Sequence, residues 1–99
     1  MIAKVAIDRD QIAAFCRRHH IRRLSLFGSV LREDFRPDSD VDILVEFEPG
    51  HVPGLAFFAM RRELAEMLGH FVDLKTAQCL SRYYRDEVLA EAEVVYDAA

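Results

Sequence analysis

Cysteine is scarce in this chain, and its two cysteines, Cys16 and Cys79, lie far apart and form no Cys-x-x-Cys pair. This pattern indicates neither a disulfide framework nor a zinc site, so we expect both to be small buried apolar residues. No apolar run approaches the roughly 18 residues that a membrane helix needs. Near the N-terminus, Lys4 and the charged run from Asp8 to Asp10 interrupt any signal-peptide core, which predicts a cytoplasmic protein with no membrane association.

An excess of positive charge is also missing, because 13 Lys and Arg stand against 17 Asp and Glu for a net charge of −4. The chain therefore lacks the broad positive field that drives non-specific nucleic-acid binding, and any phosphate chemistry must be local. With 52% hydrophobic residues, the composition excludes the low-hydrophobicity signature of disorder. A length of 99 residues predicts one domain over residues 1–99.

Hydrophobic periodicity predicts the element order α-β-(turn)-β-α-β-α-β. Capping residues mark the helix ends, with Asp8 and Ser81 at the starts of the first and last helices and Gly69 after the second. The predicted elements are a helix from about Asp8 to His20, a strand from Arg23 to Phe27, a strand from Asp40 to Phe47, a helix over Phe57 to Leu68, a strand from Phe71 to Lys75, a helix from Ser81 to about Glu91, and a strand from Val94 to Tyr96.

The most informative pattern is Gly28-Ser29, ten residues, Asp40-Val41-Asp42, and a further acid, Asp73, on a separate predicted strand. Residues i and i+2 of a strand project to one face, so Asp40 and Asp42 lie side by side. Carboxylate oxygens suit Mg²⁺, and two such ions about 3.5–4 Å apart can promote in-line displacement at phosphorus. Asp73 could share the second ion and accept the proton of an incoming hydroxyl.

Gly28, Ser29 and Arg32 are the candidate phosphate-binding residues. Glycine allows backbone N–H groups to approach a polyphosphate closely, and the serine hydroxyl adds a donor. Arg32 lies one helical turn after Ser29 and could bind the same triphosphate through charge-assisted hydrogen bonds. Taken singly, a Gly-Ser pair is usually a turn and an Asp-x-Asp a solvated strand end, so it is their combination that indicates catalysis.

These residues, with Leu26-Phe27 before Gly28-Ser29 and Ile43-Leu44-Val45 after the acidic pair, resemble the minimal nucleotidyltransferase (MNT) family of the polymerase-β-like nucleotidyltransferase superfamily. The resemblance runs from about Ile12 to Tyr96 and implies an α/β (α+β) fold, a small mixed β-sheet flanked by helices. In the family pattern, Asp40 and Asp42 match the metal-binding pair, Asp73 matches the third carboxylate, and Gly28-Ser29 match the triphosphate-binding turn.

The resemblance also implies an activity and a partner. Members of the family are typically antitoxins that transfer AMP from ATP to a tyrosine of a HEPN-domain ribonuclease toxin, with Mg²⁺ as cofactor and release of pyrophosphate. We therefore expect a protein adenylyltransferase that forms a hetero-oligomer with its toxin. The short chain leaves no residues for an acceptor-binding domain, which independently favours a protein partner that brings its own acceptor.

Two other functions remain open from the sequence. The first is a non-catalytic antitoxin that masks the toxin by binding alone, and the second is a nucleotidyltransferase acting on a small molecule. Among the remaining residues, His19 and His20 are expected to contact the carbonyls that end the first helix, and His51 and His70 show no ligand partner at metal spacing. Helical geometry predicts that one of Phe57 and Phe58 is exposed, where it could serve a protein interface.

Overall fold

The computed structural model describes residues 8–28, 40–51, 54–76 and 82–98, and for residues 82–85 it describes the backbone alone. The predicted turn over residues 30–39, the cap at Ser81 and the burial of Cys79 therefore fall outside the described residues. Three helices and four strands follow the predicted order: α1 (Arg9–Arg18), β1 (Ile21–Phe27), β2 (Val41–Phe47), α2 (Ala56–Leu68), β3 (Val72–Thr76), α3 (Arg82–Glu91) and β4 (Glu93–Asp97).

The four strands form one mixed sheet in the order β3-β2-β1-β4. β1 pairs antiparallel with both β2 and β4, whereas β2 and β3 run parallel. A parallel pair needs a crossover connection, and α2 provides it between β2 and β3. The small mixed sheet flanked by helices is thus confirmed.

Local signals place the helix ends where the sequence predicts them. The Asp8 side chain accepts hydrogen bonds from the backbone N–H groups of Asp10 and Gln11 at 3.0 and 3.1 Å, which satisfies two orphan donors at the start of α1. Gly69 ends α2 in the left-handed region with φ 69°. Its N–H donates to the carbonyl of Ala65 at 2.9 Å, so the predicted C-cap is confirmed.

The two faces of the sheet carry cores of different size. Residues from α1 and α2, including Ile12, Phe15 and Leu64, pack with Leu26 and Ile43 into the larger core. A smaller cluster on the opposite face joins Val88 of α3 to Phe27 and Leu44. None of the described helices combines the length and the apolar character that a membrane span requires.

Cys16 belongs to the larger core, as the sequence predicts for that residue. Its side chain is fully buried, and burial raises the pKa of the thiol to about 12 although the charge of Arg17 lowers it slightly. A thiol with so high a pKa is a packing group and not a nucleophile.

Candidate functional site

Three strand ends meet at one edge of the sheet. β1 ends at Phe27, and β2 and β3 both begin there, at Val41 and Val72. The register aligns Phe27 with Asp42 across the antiparallel pair and Asp42 with Asp73 across the parallel pair. Residues aligned across neighbouring strands lie about 5 Å apart, so this register brings Asp42 and Asp73 together.

Asp42 and Asp73 project to the face of the sheet that α3 covers. Aligned residues share a face, and Asp42 alternates along β2 with Ile43, which is buried in the core on the other side. Asp40 immediately precedes β2, is exposed, and is close enough to act on the charge of Asp42. The structure therefore gathers the three carboxylates that the sequence singles out.

The pKa of Asp42 is raised above its usual value of 3.8. Partial burial is the largest cause, followed by the negative charge of Asp73; the charge of Asp40 and a hydrogen bond with the Asp73 carboxyl group raise it further. Lys75 opposes these effects. Carboxylates that repel one another at such close range suit a divalent cation, which offsets their negative charge. Asp40, Asp42 and Asp73 thus fit a magnesium site.

Gly28 lies directly against the Asp42 carboxylate. It has φ 77°, and a Cβ built on it would lie 2.2 Å from Oδ2 of Asp42 and 3.1 Å from its Cγ. Only glycine combines this backbone conformation with such a close approach. The backbone at the end of β1 therefore borders the carboxylates, as the sequence pattern predicts for Gly28. Ser29 and Arg32, the other two candidate phosphate-binding residues, lie outside the described residues.

Lys75 is a candidate site residue that the sequence analysis missed. Its Nζ lies 3.3 Å from Oδ2 of Asp73, and its charge also acts on Asp42. The signal was present in the sequence, because Lys75 follows Asp73 by two residues on one predicted strand and must share its face. A cation at this position offsets part of the repulsion within the carboxylate cluster and could contact an anionic ligand.

A groove of about 420 Å³ adjoins Asp40 and is lined by residues of α2 and of the start of β3. Its lining combines apolar surface with two cations: Phe58, Arg61, Arg62, Ala65, Phe71 and Val72. Phe58 is 60% exposed and Phe71 78% exposed, whereas Phe57 is partly buried against the core. The prediction that one of the two adjacent phenylalanines is exposed is therefore confirmed for Phe58.

The structure confirms one expectation for the histidines and corrects others. The His19 ring lies 3.4 Å from a carboxylate oxygen of Glu63, and the His20 ring lies 3.7 Å from one of Glu48. The expected contact with the end of α1 is made by the backbone of His19, whose N–H donates to the carbonyl of Phe15 at 3.1 Å, whereas both rings lie next to carboxylates. His51, for which the sequence indicated no ligand partner, stacks on His20 with Glu48 beside it.

Comparison with known proteins connects this geometry to a family. A model of the family described as "Nucleotidyltransferase domain" matches residues 9–95. "Protein adenylyltransferase MntA" of Thermococcus cleftensis is 40% identical over 80 residues, which are 80% of this chain and 77% of the relative. A protein of Methanocaldococcus jannaschii, provisionally named as a protein adenylyltransferase, is 39% identical over 75 residues, which are 76% of this chain and 80% of that protein.

Solved structures share the same fold. One, described as a toxin-antitoxin with AMP-PNP, superposes with a TM-score of 0.74 at 22% identity and covers 92% of this chain and 74% of its own. Another is a complex of a tri-AMPylated HEPN toxin of Shewanella oneidensis with an MNT antitoxin; its TM-score is 0.66 at 22% identity, with 90% of this chain and 69% of that chain covered. At these identities the likeness is one of fold.

Proposed function

The chain belongs to the nucleotidyltransferase domain family, and from that premise we propose that it is a protein adenylyltransferase acting as an antitoxin. It transfers AMP from ATP to a tyrosine of a partner HEPN ribonuclease toxin and releases pyrophosphate. The observation that carries this proposal is the register of β2 against β3, which brings Asp42 and Asp73 together next to Gly28. The curated relatives named as adenylyltransferases support the choice of a protein acceptor.

Each site residue takes a defined part in this reaction. Asp40, Asp42 and Asp73 hold Mg²⁺, in the form of two ions, and the backbone of Gly28 with Ser29 and Arg32 binds the triphosphate. When bound, the cations neutralise charge on the triphosphate and on the leaving pyrophosphate. Lys75 lies beside Asp73 and adds a positive charge at the same edge of the sheet.

The transfer is a single displacement at phosphorus. The tyrosine oxygen forms a bond to the α-phosphorus of ATP, and the bond from that phosphorus to the oxygen bridging it to the β-phosphate breaks. The bonding electrons leave with pyrophosphate, and the phenolic proton passes to the Asp73 carboxylate acting as general base. The chain's own residues thus position the reacting groups and accept the proton.

The groove beside Asp40 is suited to bind the segment of the partner that surrounds the acceptor tyrosine. It opens next to Asp40, one of the proposed metal ligands, on the α2 side of the sheet, so a polypeptide bound there would pass Asp40 and reach Asp42 and Asp73 around the start of β2. Phe58 and Phe71 offer apolar contact, and Arg61 and Arg62 favour acidic residues around the acceptor.

The test is adduct formation on the partner. The purified protein is incubated with ATP, Mg²⁺ and its cognate HEPN protein, and intact masses are recorded. We expect the partner to gain the mass of AMP with wild type and with Asp86→Asn, a control change at an exposed aspartate of α3. Asp42→Asn should form no adduct.

Two outcomes would favour the other functions. Full neutralisation of the toxin by the double variant Asp40→Asn and Asp42→Asn, without an adduct, would indicate masking by contact alone. Transfer of label from ATP to compounds of a small-molecule library, with none to the partner, would indicate a small-molecule nucleotidyltransferase.

A further inference from the structure

A second cluster of metal-ligating side chains lies at the other end of β2. His20, Glu48 and His51 each offer one ligand atom, and these three atoms lie within 4.8 Å of one another. Nδ1 of His20 is 3.7 Å from Oε2 of Glu48, and the rings of His20 and His51 are stacked with centroids 3.9 Å apart and planes inclined by 13°.

Backbone hydrogen bonds hold all three residues in place. The N–H of Glu48 donates to the carbonyl of His20 at 2.9 Å, and the N–H of His51 donates to the carbonyl of Glu48 at 3.1 Å. His20 itself has φ 57°, and among the described residues it is the one non-glycine with positive φ. This conformation turns the chain from α1 into β1 and places the His20 ring over His51.

We propose that His20, Glu48 and His51 form a binding site for a divalent transition-metal ion, with Zn²⁺ as the ion that the ligand set suits. Two imidazole nitrogens and one carboxylate oxygen are ligands typical of zinc, whereas Mg²⁺ prefers oxygen alone. A tetrahedral ion with bonds of about 2.0–2.1 Å holds its ligand atoms roughly 3.3 Å apart. The side chains therefore have to close by about 1.5 Å at most, and the two rings must rotate out of their stack so that both lone pairs point at the ion.

Exposure makes this movement easy, because all three side chains lie at the surface. It also leaves the fourth coordination position to water. Since His20 precedes β1 while Glu48 and His51 follow β2, a bound ion ties together the chain segments at the open end of this antiparallel pair. The ion stabilises the fold at that end.

This site is separate from the carboxylate cluster. Glu48 lies six positions after Asp42, which corresponds to about 20 Å of extended chain along β2. The proposal therefore does not depend on nucleotidyl transfer, and it predicts binding that magnesium does not compete with.

The experiment is a calorimetric titration of tag-free, EDTA-treated protein with ZnCl₂ in a buffer containing Mg²⁺. We expect one Zn²⁺ per chain, and at least about tenfold weaker binding for His20→Asn and for His51→Gln. Asparagine tolerates the left-handed conformation at position 20, so His20→Asn removes the nitrogen ligand and keeps the backbone turn. His19→Gln, next to the cluster but outside it, is the matched control and should bind like wild type.

Two further readouts identify the site. On Zn²⁺ addition, the ring resonances of His20 and His51 should shift together in ¹H–¹⁵N spectra while those of His70 stay in place. The Tm of wild type should rise by about 4 °C or more at saturating Zn²⁺, and that of His51→Gln should not. Absence of binding, equal binding by the histidine variants, or loss of binding in Asp42→Asn would each overturn the proposal.

Discussion

Gly28 and Gly69 both have positive φ, but their surroundings differ. A Cβ on Gly28 would collide with the Asp42 carboxylate, whereas a Cβ on Gly69 would meet nothing within 4 Å. Gly28→Ala and Gly69→Ala should therefore each lose about 1 kcal/mol of stability from backbone strain. Only Gly28→Ala should also abolish AMP transfer, because it displaces the carboxylate. Thermal unfolding and the intact-mass assay measure the two effects.

Comparison of Gly28→Ala with Gly69→Ala separates the effect of backbone strain from the effect of displacing the Asp42 carboxylate. If Gly69→Ala lost transfer to the same extent as Gly28→Ala, reduced stability would explain both results and the contact with Asp42 would carry no function. Retention of full activity by Gly28→Ala would contradict the placement of the Asp42 carboxylate in the reaction.

We expect Asp42, a proposed metal ligand, to reduce the stability of the folded protein. Its raised pKa means that the native state holds a proton more tightly than the unfolded chain does. Asp42 therefore lowers the free energy of unfolding as the pH rises from about 4 through the raised pKa. At lower pH this destabilisation is absent. At pH 7 without divalent cations, Asp42→Asn should therefore have a higher Tm than wild type, because it removes the charge that the fold holds unfavourably.

The same comparison of Tm between wild type and Asp42→Asn can be repeated with Mg²⁺ present. A cation held by Asp40, Asp42 and Asp73 should raise the Tm of wild type and have little effect on Asp42→Asn. The difference between the two proteins should also shrink below about pH 4, where the wild-type carboxyl is protonated in both states. Lower stability of Asp42→Asn at pH 7 would contradict this account of the site.

At the scale of single elements, α1 depends on its N-cap. Asp8→Ala removes the acceptor for two backbone N–H groups and should cost about 1 kcal/mol. Asp8→Asn retains an acceptor oxygen and should cost little. Urea denaturation measures both; equal losses would indicate that the charge of Asp8, acting on the helix dipole, matters more than its hydrogen bonds.

Most elements could be predicted because their signals are local. Periodicity and caps located three helices and four strands, and errors are confined to the ends. β1 begins at Ile21 and not Arg23, since Ile21 pairs with Phe47 once His20 has reversed the chain. β4 likewise extends to Asp97 through pairing with Arg23. Such extensions depend on a partner strand that the local sequence does not specify.

The candidate site could likewise be predicted only as far as local sequence signals reach. Alternation in β2 and the Gly28-Ser29 pattern indicated the candidate residues, but the alignment of Asp42 with Asp73 follows from the parallel pairing of β2 with β3. The stack of His20 on His51 joins residues separated by two strands in the chain. No spacing rule relates them, so this cluster appears only in the folded structure.

At the scale of the whole molecule, the two proposed sites lie at opposite ends of the sheet. The carboxylates, Gly28 and the groove lie where β2 and β3 begin, and the histidine cluster lies where β2 ends.

The groove should therefore govern acceptor binding without affecting the fold. Phe58 is 60% exposed, so Phe58→Ser should change stability by no more than about 0.5 kcal/mol. Loss of an apolar contact at the centre of an interface should raise KM for the HEPN partner roughly tenfold. The rate at saturating partner and the affinity for ATP should stay the same, since Asp40, Asp42 and Asp73 are unchanged.

Leu89→Ser is the matched control, because Leu89 is a 40% exposed apolar residue on α3 and does not line the groove. Its KM for the partner should equal that of wild type. Arg61→Glu should raise KM further than Phe58→Ser if acidic residues surround the acceptor, because it turns an attraction into a repulsion. An unchanged KM in both groove variants would place the acceptor on a different surface, and a loss of ATP binding in Phe58→Ser would assign the groove to the nucleotide instead.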